Sequence, residues 1–304
     1  LLNKGYEVHG IIRRVALEDE THRLWRIRKI LKDITLHSGS LESYARMFNI
    51  ILKIKPDEIY HLAAQSYVDY SFEDEFSTFN MNINGTHYML SAVKEFVKSQ
   101  SKFYFAASSE MFGKATESPQ NENTPFYPRS AYGISKVTGY HLVKNYREAY
   151  NLHASNGILF NHESPRRGSN LVTNKVAKAA AKIKLGLQDK LELGNMDSYR
   201  DWGHSKDYVR AMHMIINHTE PDDFVCATGI SNSVGDMCEY VFNQLDLNYK
   251  DYVTQDERFM RAEELKYLRG DSTKLRETFG WEPEYTFETL MDEMIDHWIE
   301  HYQG

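Results

Sequence analysis

The chain has 304 residues, 41% of them hydrophobic and 26% charged, a balance that suits a globular protein of one large domain or two packed ones. Its formal net charge of −7 argues against a nucleic-acid partner, because phosphates call for a basic surface. The two cysteines, Cys226 and Cys238, suit a reducing cytoplasm and show no zinc spacing, and no apolar run is long enough for a membrane span.

The first half of the chain alternates short apolar strands with helical stretches. In chain order, the predicted elements are strands 7–12 and 34–37, helix 41–55, strand 58–62, helix 76–97, strand 103–107, helix 131–150 and strand 154–159. This alternation predicts an α/β fold of the Rossmann type, a doubly wound parallel sheet with helices on both faces. Ligands bind such sheets outside the carboxyl ends of the strands, so the segments after Ile12, Leu62, Ala107 and Leu159 are the expected binding regions.

The pattern changes after Asn161. The loop residues Pro165, Gly168 and Asn170 are followed by helix 172–185, a short strand near Leu191, helix 207–217, strand 224–227, helix 234–244 and a mainly helical region 272–304. The late strand predicts a return to the first sheet. We therefore expect a dinucleotide-binding domain formed by residues 1–163 and 204–228, and a smaller, mainly helical substrate-binding lobe formed by residues 164–203 and 229–304.

The N-terminus has the pattern of an interrupted motif. Residues 1–5 look like the last turn of a helix with Gly5 as its stop, and a strand follows directly. The glycine-rich loop of a dinucleotide-binding fold should follow a first strand and is absent; the segment 5–10 cannot replace it, because that segment precedes a strand. We expect about 20 to 25 residues upstream in the natural protein, enough for a strand, a loop and a helix.

The strongest chemical signal is a serine at a strand end combined with a tyrosine and a lysine four residues apart. Ser108 ends the predicted strand 103–107, and Tyr132 and Lys136 lie on one face of the helix 131–150. We expect the lysine charge to lower the phenol pKa, which would make Tyr132 a workable proton acceptor. The Ser108 hydroxyl can bond the same substrate oxygen.

The tyrosine–lysine spacing is not specific by itself. Tyr140 and Lys144 match it too, and for any one such pair a surface tyrosine beside a solvated lysine is the ordinary alternative. Tyr132 opens a helix and has a serine partner on an expected binding strand. Tyr140 has no serine partner and lies about 80° around the helix from Tyr132. The context therefore favours Tyr132 and Lys136 as the catalytic pair.

The residues after the first strand favour NADP over NAD. An acidic residue in this place would bind a ribose 2′-hydroxyl, whereas the pair Arg13-Arg14 suits a 2′-phosphate. The alternative is that the two arginines only begin the charged loop that runs to Arg28.

Several longer segments resemble the GDP-mannose 4,6-dehydratases, a family of extended short-chain dehydrogenases. These segments are 103–113 with Tyr132 and Lys136, 157–168 (Gly-Ile-Leu-Phe-Asn-His-Glu-Ser-Pro-Arg-Arg-Gly), 62–66, 194–197 and 200–203. The resemblance runs from Leu1 nearly to Gly304. The run Asn-His-Glu-Ser-Pro-Arg-Arg-Gly is far more specific than the tyrosine–lysine spacing.

The resemblance implies a redox-neutral conversion of GDP-mannose to its 4-keto-6-deoxy sugar. Tyr132 would take the proton from the sugar O4 while hydride passes from C4 to NADP. Glu110 would then remove the acidified C5 proton, water would leave from C6, and the hydride would return to C6. Ser108 stands where the family commonly has threonine, and either hydroxyl can donate the same bond. The alternative for Glu110 is a solvated loop carboxylate.

Binding residues also follow from this resemblance, together with the arginine pair. For the cofactor they are Arg13, Arg14, Ser40, Leu41, Leu62, Ala63, Ala64, Tyr132, Lys136, His162 and Arg167. For the GDP-sugar they are Ser66, Ser109, Asn161, Lys175, Arg200, Arg261 and Glu264, since arginines suit a diphosphate and a carboxylate can accept from guanine. Two positions depart from the family: Ala262 replaces a proline, and Asn174 replaces an arginine before the lysine.

Other functions on the same scaffold stay open. A GDP-heptose 4,6-dehydratase would use the same groups, whereas a 4-epimerase or a 4-keto reductase would not need the acid at Glu110. A non-catalytic dinucleotide-binding protein would tolerate loss of Tyr132 and Lys136. The resemblance further implies a cytoplasmic homodimer or homotetramer, with the loop 15–28 as a candidate subunit contact. No metal is called for, because tyrosine, lysine and carboxylate cover every proton transfer.

Overall fold

A computed structural model describes residues 1–13, 15, 24–96, 101–260, 265 and 267–303 of the chain. Its strands are β1 (Val8–Ile12), β2 (Ile34–Ser38), β3 (Glu58–His61), β4 (Lys102–Ser108), β5 (His153–Leu159), β6 (Asn161–Glu163), β7 (Leu191–Leu193), β8 (Tyr199–Arg200), β9 (Trp202–His204), β10 (Asp223–Cys226), β11 (Asn232–Ser233), β12 (Val253–Gln255) and β13 (Tyr267–Leu268). Its α-helices are α1 (Tyr44–Ile54), α2 (Tyr70–Glu73), α3 (Glu75–Phe79), α4 (Gly85–Phe96), α5 (Ala131–Tyr150), α6 (Val172–Lys184), α7 (Ser205–Ile216), α8 (Val234–Asn243), α9 (Thr273–Phe279) and α10 (Phe287–Gln303).

The centre of the molecule is a parallel sheet of four strands in the order β10-β5-β4-β3. Strands β1 and β2 pair in parallel as a separate two-stranded sheet. Pairing of β10 with β5 confirms the predicted return of the late strand to the first sheet. Because the strands run parallel, the carboxyl ends of β3, β4 and β5 meet at one edge of the sheet.

Apolar side chains cover both faces of the central sheet. One face packs against α1, α4 and α5 in a cluster that includes Met47, Leu90, Phe103 and Val143. A Cβ at Gly139 of α5 would lie 2.4 Å from the Phe105 ring, so this glycine lets the helix approach β4 closely. The sheet is thereby buried as an α/β sheet requires, and α5 is held in a fixed position over β4.

A second cluster joins α6, α8 and α10, the helices that build the predicted lobe. The predicted boundary after residue 228 does not follow the packing everywhere. Leu275 of α9 and Trp281 belong to a third cluster, with Tyr104 of β4, Phe224 of β10 and residues of α7. The segment that carries α9, which the prediction assigned to the lobe, therefore packs against the central sheet and α7.

The helix predicted over residues 76–97 is interrupted. A π-helical turn, Asn80–Asn84, separates α3 from α4. Within this turn the buried Asn82 amide bonds both main-chain groups of Gln65, at 2.8 and 2.9 Å, and donates to Ser135 Oγ at 3.0 Å. The extra residue of the π turn directs Asn82 inward, where it ties the loop after β3 to α5.

A buried carboxylate joins α5 to the sheet. Asp223 Oδ2 lies 2.9 Å from Arg147 Nη2, with side-chain exposures of 7% and 13%. It also accepts hydrogen bonds from the Tyr140 hydroxyl at 2.9 Å and from Asn156 Nδ2 at 2.7 Å. Burial opposes ionisation of Asp223, but the hydrogen bonds and charge of Arg147 outweigh it and lower the carboxyl pKa.

The substitution Asp223→Asn is expected to lower the free energy of unfolding by about 3–5 kcal/mol, because it leaves the Arg147 charge buried without a counter-ion. Denaturant unfolding at neutral pH measures this loss. Since the folded pKa is lowered, the stabilisation from Asp223 is present above the unfolded pKa and is lost as the pH falls through the folded pKa. The difference between variant and parent should therefore shrink in acid. A loss below about 1 kcal/mol would contradict the assignment of a buried ion pair.

Candidate active site

A cleft of about 450 Å³ lies at the carboxyl ends of β3, β4 and β5, where the sheet rule predicts a ligand site. Many of the predicted site residues line it: Leu62, Ala64, Ser66, Ser108, Glu110, Tyr132, Lys136, Asn161, His162, Arg167, Lys175 and Arg200. The structure therefore brings residues from the loop after β3, the end of β4, helix α5, strand β6 and the lobe into one place.

Helix α5 positions the tyrosine and the lysine. Ser130 caps its N-terminus by accepting a hydrogen bond from the Gly133 amide at 3.0 Å. Tyr132 follows in the first turn, largely buried, and its own amide lies 3.3 Å from Ser71 Oγ. Lys136 comes one turn later on the same face. The cap fixes the first residue of the helix. It therefore also fixes the position of Tyr132, in the first helical turn, relative to the cleft.

Lys136 is buried beneath the cleft wall. Its Nζ donates to the Ala106 carbonyl at 2.7 Å and lies 4.8 Å from the Phe105 ring centroid. Burial lowers the Lys136 pKa to about 8. The ammonium group therefore sits close to the end of β4, between the main chain of that strand and the Tyr132 ring, whose centroid is 5.7 Å away.

The predicted lowering of the Tyr132 pKa by Lys136 is wrong in this structure. Burial has the largest effect and raises the Tyr132 pKa to about 12. The Ser108 hydrogen bond and the Arg167 charge lower this pKa, whereas the Glu110 charge raises it. Burial outweighs the favourable contacts, and the Lys136 ammonium is directed at the Ala106 carbonyl.

Ser108 and Glu110 reach the cleft together because the chain turns directly after β4. In the 3-10 turn Ser109–Met111, Ser108 Oγ accepts a hydrogen bond from the Glu110 amide at 3.3 Å. Ser109, between them, is 2% exposed and does not line the cleft. The turn therefore presents a hydroxyl and a carboxylate to the cleft and directs the middle serine into the core, away from the substrate contact predicted for it.

His162 is held as a neutral ring. Its Nδ1 lies 2.9 Å from the Phe160 carbonyl, and its ring stacks on Tyr208 with centroids 4.9 Å apart. Burial lowers the His162 pKa to about 4, and the Phe160 carbonyl opposes that shift. Because a carbonyl can only accept, Nδ1 carries the proton and Nε2 is the acceptor.

The cations of the lobe are already engaged with the main chain. Lys175 Nζ donates to the Glu192 carbonyl at 2.6 Å and lies 3.8 Å from the Phe259 ring centroid. Arg200 is buried, and its Nη1 donates to the Leu265 carbonyl at 2.7 Å. Both side chains line the cleft, where a charged part of a ligand would meet them.

Several predicted residues lie elsewhere. Arg13 follows β1, and Ser40 and Leu41 follow β2, so these three lie at carboxyl ends of the separate sheet and do not line the cleft. The Ser40 hydroxyl donates to Glu42 at 3.1 Å. Ala63 is exposed and also does not line the cleft. Arg14, Arg261 and Glu264 lie outside the described residues.

Other lining residues were not predicted as site residues. They are Tyr67, Val68, Asp69, Glu163, Thr173, Leu193, Gly194, Asn195, Trp202 and Phe259, among others. The first three follow the loop after β3, so the sheet rule could have extended to them. Glu163 lies inside the run Asn-His-Glu-Ser-Pro-Arg-Arg-Gly, so the resemblance could have pointed to it, whereas Thr173 lies outside every matching segment. Among the described residues, no group of three or more histidine, cysteine or acidic side chains could hold a metal ion.

Comparison with known proteins decides the family. The family model described as GDP-mannose 4,6 dehydratase matches residues 1–294. The chain is 45% identical to GDP-mannose 4,6 dehydratase 2 of Arabidopsis thaliana, in an alignment that covers 99% of this chain and 82% of that protein. It is 44% identical to the Homo sapiens GDP-mannose 4,6 dehydratase, covering 97% and 85%. The chain belongs to the GDP-mannose 4,6-dehydratase family.

Solved structures share the fold. RMD from Pseudomonas aeruginosa complexed with NADPH matches with a TM-score of 0.81 at 24% identity, covering 91% of this chain and 95% of that one. A dTDP-glucose 4,6-dehydratase from Bacillus anthracis in complex with NAD matches with a TM-score of 0.84 at 18% identity, covering 99% and 90%. The predicted Rossmann-type fold is confirmed, and the family membership confirms the predicted NADP-dependent hydro-lyase that acts on a GDP-sugar.

The residues around the cleft fit a phosphate-bearing dinucleotide. The small side chain of Ala64, which lines the cleft, leaves the main chain after β3 open to close approach. The cations Lys136 and Arg167 line the same cleft, together with the neutral acceptor ring of His162. Charged donors suit phosphate and ribose oxygens, so the donor set agrees with the NADP of the GDP-mannose 4,6-dehydratase family.

No helix in the described part of the chain combines the length and the apolar character that a membrane span needs.

Proposed function

We propose that this cleft dehydrates GDP-mannose to GDP-4-keto-6-deoxymannose, with Ser108, Tyr132 and Glu110 as the groups that act on the hexose. The convergence of these three side chains supports the proposal. All three line one cleft, and the Ser108 hydroxyl and the Glu110 carboxylate are both close enough to Tyr132 to shift its pKa, the first lowering it and the second raising it. A 4-epimerase or a 4-keto reductase has no use for a carboxylate beside the tyrosine.

Each group has one task in the reaction. NADP, when bound, would supply the hydride acceptor for C4 and the hydride donor for C6. The Ser108 hydroxyl holds the sugar O4, and the Tyr132 oxygen takes the O4 proton as C4 is oxidised. Glu110 takes the C5 proton, which the adjacent ketone makes acidic, and passes it to the C6 hydroxyl, which leaves as water. When hydride reaches C6, C5 takes up a proton, which balances the proton released from O4. One water is lost across C5 and C6, and the net oxidation state of sugar and cofactor is unchanged.

The proton on Tyr132 sets a requirement for the first step. With a pKa of about 12, the phenol cannot accept a proton at neutral pH until the ionised form is favoured. Two contacts favour it, the hydrogen bond to Ser108 and the positive charge of Arg167. In its ionised form the Tyr132 oxygen can take the proton of the sugar O4.

The nucleotide part of the substrate is assigned to the lobe end of the cleft. Lys175, Arg200 and Asn161 line that region and would meet the diphosphate and ribose. The roles of Arg261 and Glu264 stay predictions from the family resemblance. A homodimer or homotetramer and a cytoplasmic location likewise stay predictions.

Incubation of the intact protein with GDP-mannose and NADP is expected to yield a product one water lighter that carries a 4-keto group, without net formation of NADPH. Mass spectrometry and carbonyl trapping measure this product. A parallel incubation with a GDP-heptose separates the heptose alternative, because the better substrate shows the higher kcat/KM. Absence of any 4-keto product from GDP-mannose would reject the proposed substrate.

A further inference from the structure

Glu163 is a buried carboxylate at the wall of the cleft with no task in the proposed reaction. It is 2% exposed and lies at the end of β6. Its Oε2 accepts a hydrogen bond from Thr173 Oγ1 at 2.8 Å and lies 3.0 Å from Arg167 Nε. Burying a carboxylate costs stability unless a cation and hydrogen bonds compensate. Here the compensating cation is Arg167, whose side chain is 34% exposed and lines the cleft.

The turn that carries Arg167 is held from three parts of the molecule. Arg26, from the segment before β2, donates from Nε to the Arg166 carbonyl at 2.7 Å. Asn174 of α6 donates to the Arg167 carbonyl at 2.6 Å, and Trp298 of α10 donates its indole N–H to Asn174 at 2.5 Å. The main chain at Arg166 and Arg167 is thus tied to the segment before β2 and to helix α6. Asn174 makes these two contacts where the family usually has arginine.

Only the side chain of Arg167 remains to be oriented, and Glu163 is the group that orients it. A guanidinium on a flexible stem loses entropy when it is fixed, and a buried carboxylate that is itself anchored by Thr173 supplies the fixed partner. In this orientation the Arg167 charge lowers the pKa values of both Tyr132 and His162. The charge therefore acts on the tyrosine and on the histidine from the same wall of the cleft.

We propose that Glu163 is a positioning residue, whose anchored carboxylate holds the Arg167 guanidinium at the cleft wall for contact with the bound dinucleotide. This inference rests on the proposed function, because it assumes that the cleft binds NADP. Glu163 does not touch the hexose in this role; it acts through Arg167.

Glu163→Gln tests the role with little change in shape, because an amide can still accept from Thr173 but no longer pairs with the arginine charge. NADPH affinity, measured by fluorescence titration of the intact protein, is expected to weaken about tenfold, as for the loss of a charge partner at a binding site. Thr173→Val removes only the hydrogen bond that anchors Glu163. This variant should also weaken NADPH affinity, but by less than Glu163→Gln does. In Arg167→Ala, adding Glu163→Gln should cause no further loss, since the carboxylate acts through the arginine.

Asp223→Asn is the matched control. It also removes the charge of a buried carboxylate paired with an arginine, but it does so outside the cleft, so it should lower the melting temperature and leave NADPH affinity unchanged. If Glu163→Gln also lowers the melting temperature and leaves NADPH affinity unchanged, the role of Glu163 is only structural and the proposal is overturned. A further loss in the double variant, or no NADPH binding by the parent protein, also overturns it. NADPH binding without 4-keto product would instead reject the proposed reaction and leave the Glu163 result to stand.

Discussion

Tyr132→Phe is expected to reduce the turnover of GDP-mannose about a thousandfold, within the range that positioned acid–base groups contribute. The phenylalanine ring fills the same buried space beside Ser108 but has no oxygen to take the O4 proton. Oxidation at C4 is the first chemical step, so every later step stops with it. Rapid mixing with GDP-mannose should therefore show no transient signal of reduced nicotinamide, and no 4-keto product should accumulate.

The matched control for this variant is Tyr140→Phe, which removes the hydroxyl of the other tyrosine in a Tyr-x-x-x-Lys spacing. The Tyr140 hydroxyl donates to Asp223 at 2.9 Å and does not line the cleft, so its loss should leave kcat unchanged. Ser108→Thr is a second control that keeps a hydroxyl beside Tyr132 and should retain most of the activity. Equal losses in the two tyrosine variants would show that the damage is to folding and not to chemistry.

The elements predicted best are those with a strong local signal. Helix α5 has the predicted bounds because Ser130 supplies a cap and the loop before it breaks the pattern. Strands β4 and β5 each begin one residue before the prediction, and the apolar run Phe103–Ala107 marks β4 clearly. In contrast, strands of two or three residues in the lobe, such as β8 and β9, are too short to show a period.

The interruption of the helix 76–97 could not be predicted, because its cause is distant in the sequence. Asn82 is turned inward by contacts with Gln65 and Ser135, which are 17 and 53 residues away. A periodic pattern records which face of a helix is apolar, and it does not record that one amide must bond a loop. The same limit explains why the Glu163–Thr173 hydrogen bond between β6 and α6 was missed.

In the candidate site, too, some features could be predicted from the sequence and others could not. Spacing and strand ends placed Ser108, Tyr132 and Lys136 together, the family resemblance added Glu110, and the structure brings all four to the cleft. The pKa shift of Tyr132 could not be predicted from the spacing of residues in the sequence. The direction of the Tyr132 pKa shift depends on how deeply the phenol is buried and on the carbonyl that Lys136 bonds, and both are tertiary features. Ser109 was misplaced because the turn after β4 directs it into the core.

Glu110→Gln is expected to stop dehydration as completely as the tyrosine variant, about a thousandfold, but at a later step. The amide cannot take the C5 proton, while Tyr132 and Ser108 remain to oxidise C4. Adding GDP-mannose to this variant should therefore produce reduced nicotinamide that persists, because no hydride acceptor forms at C6. Exchange of the C5 hydrogen with deuterated water, which the parent enzyme should catalyse, should be lost.

The charge of Glu110 sharpens this prediction. Its carboxylate raises the Tyr132 pKa, so the neutral amide should let the phenol ionise more easily. The first hydride transfer in Glu110→Gln should then be at least as fast as in the parent enzyme, a result that general damage to the site would not produce. Glu117→Gln is the matched control, since Glu117 is exposed, lies outside the cleft and should be silent. If Glu110→Gln still dehydrates GDP-mannose at the parent rate, another group removes the C5 proton and the role proposed for Glu110 is wrong.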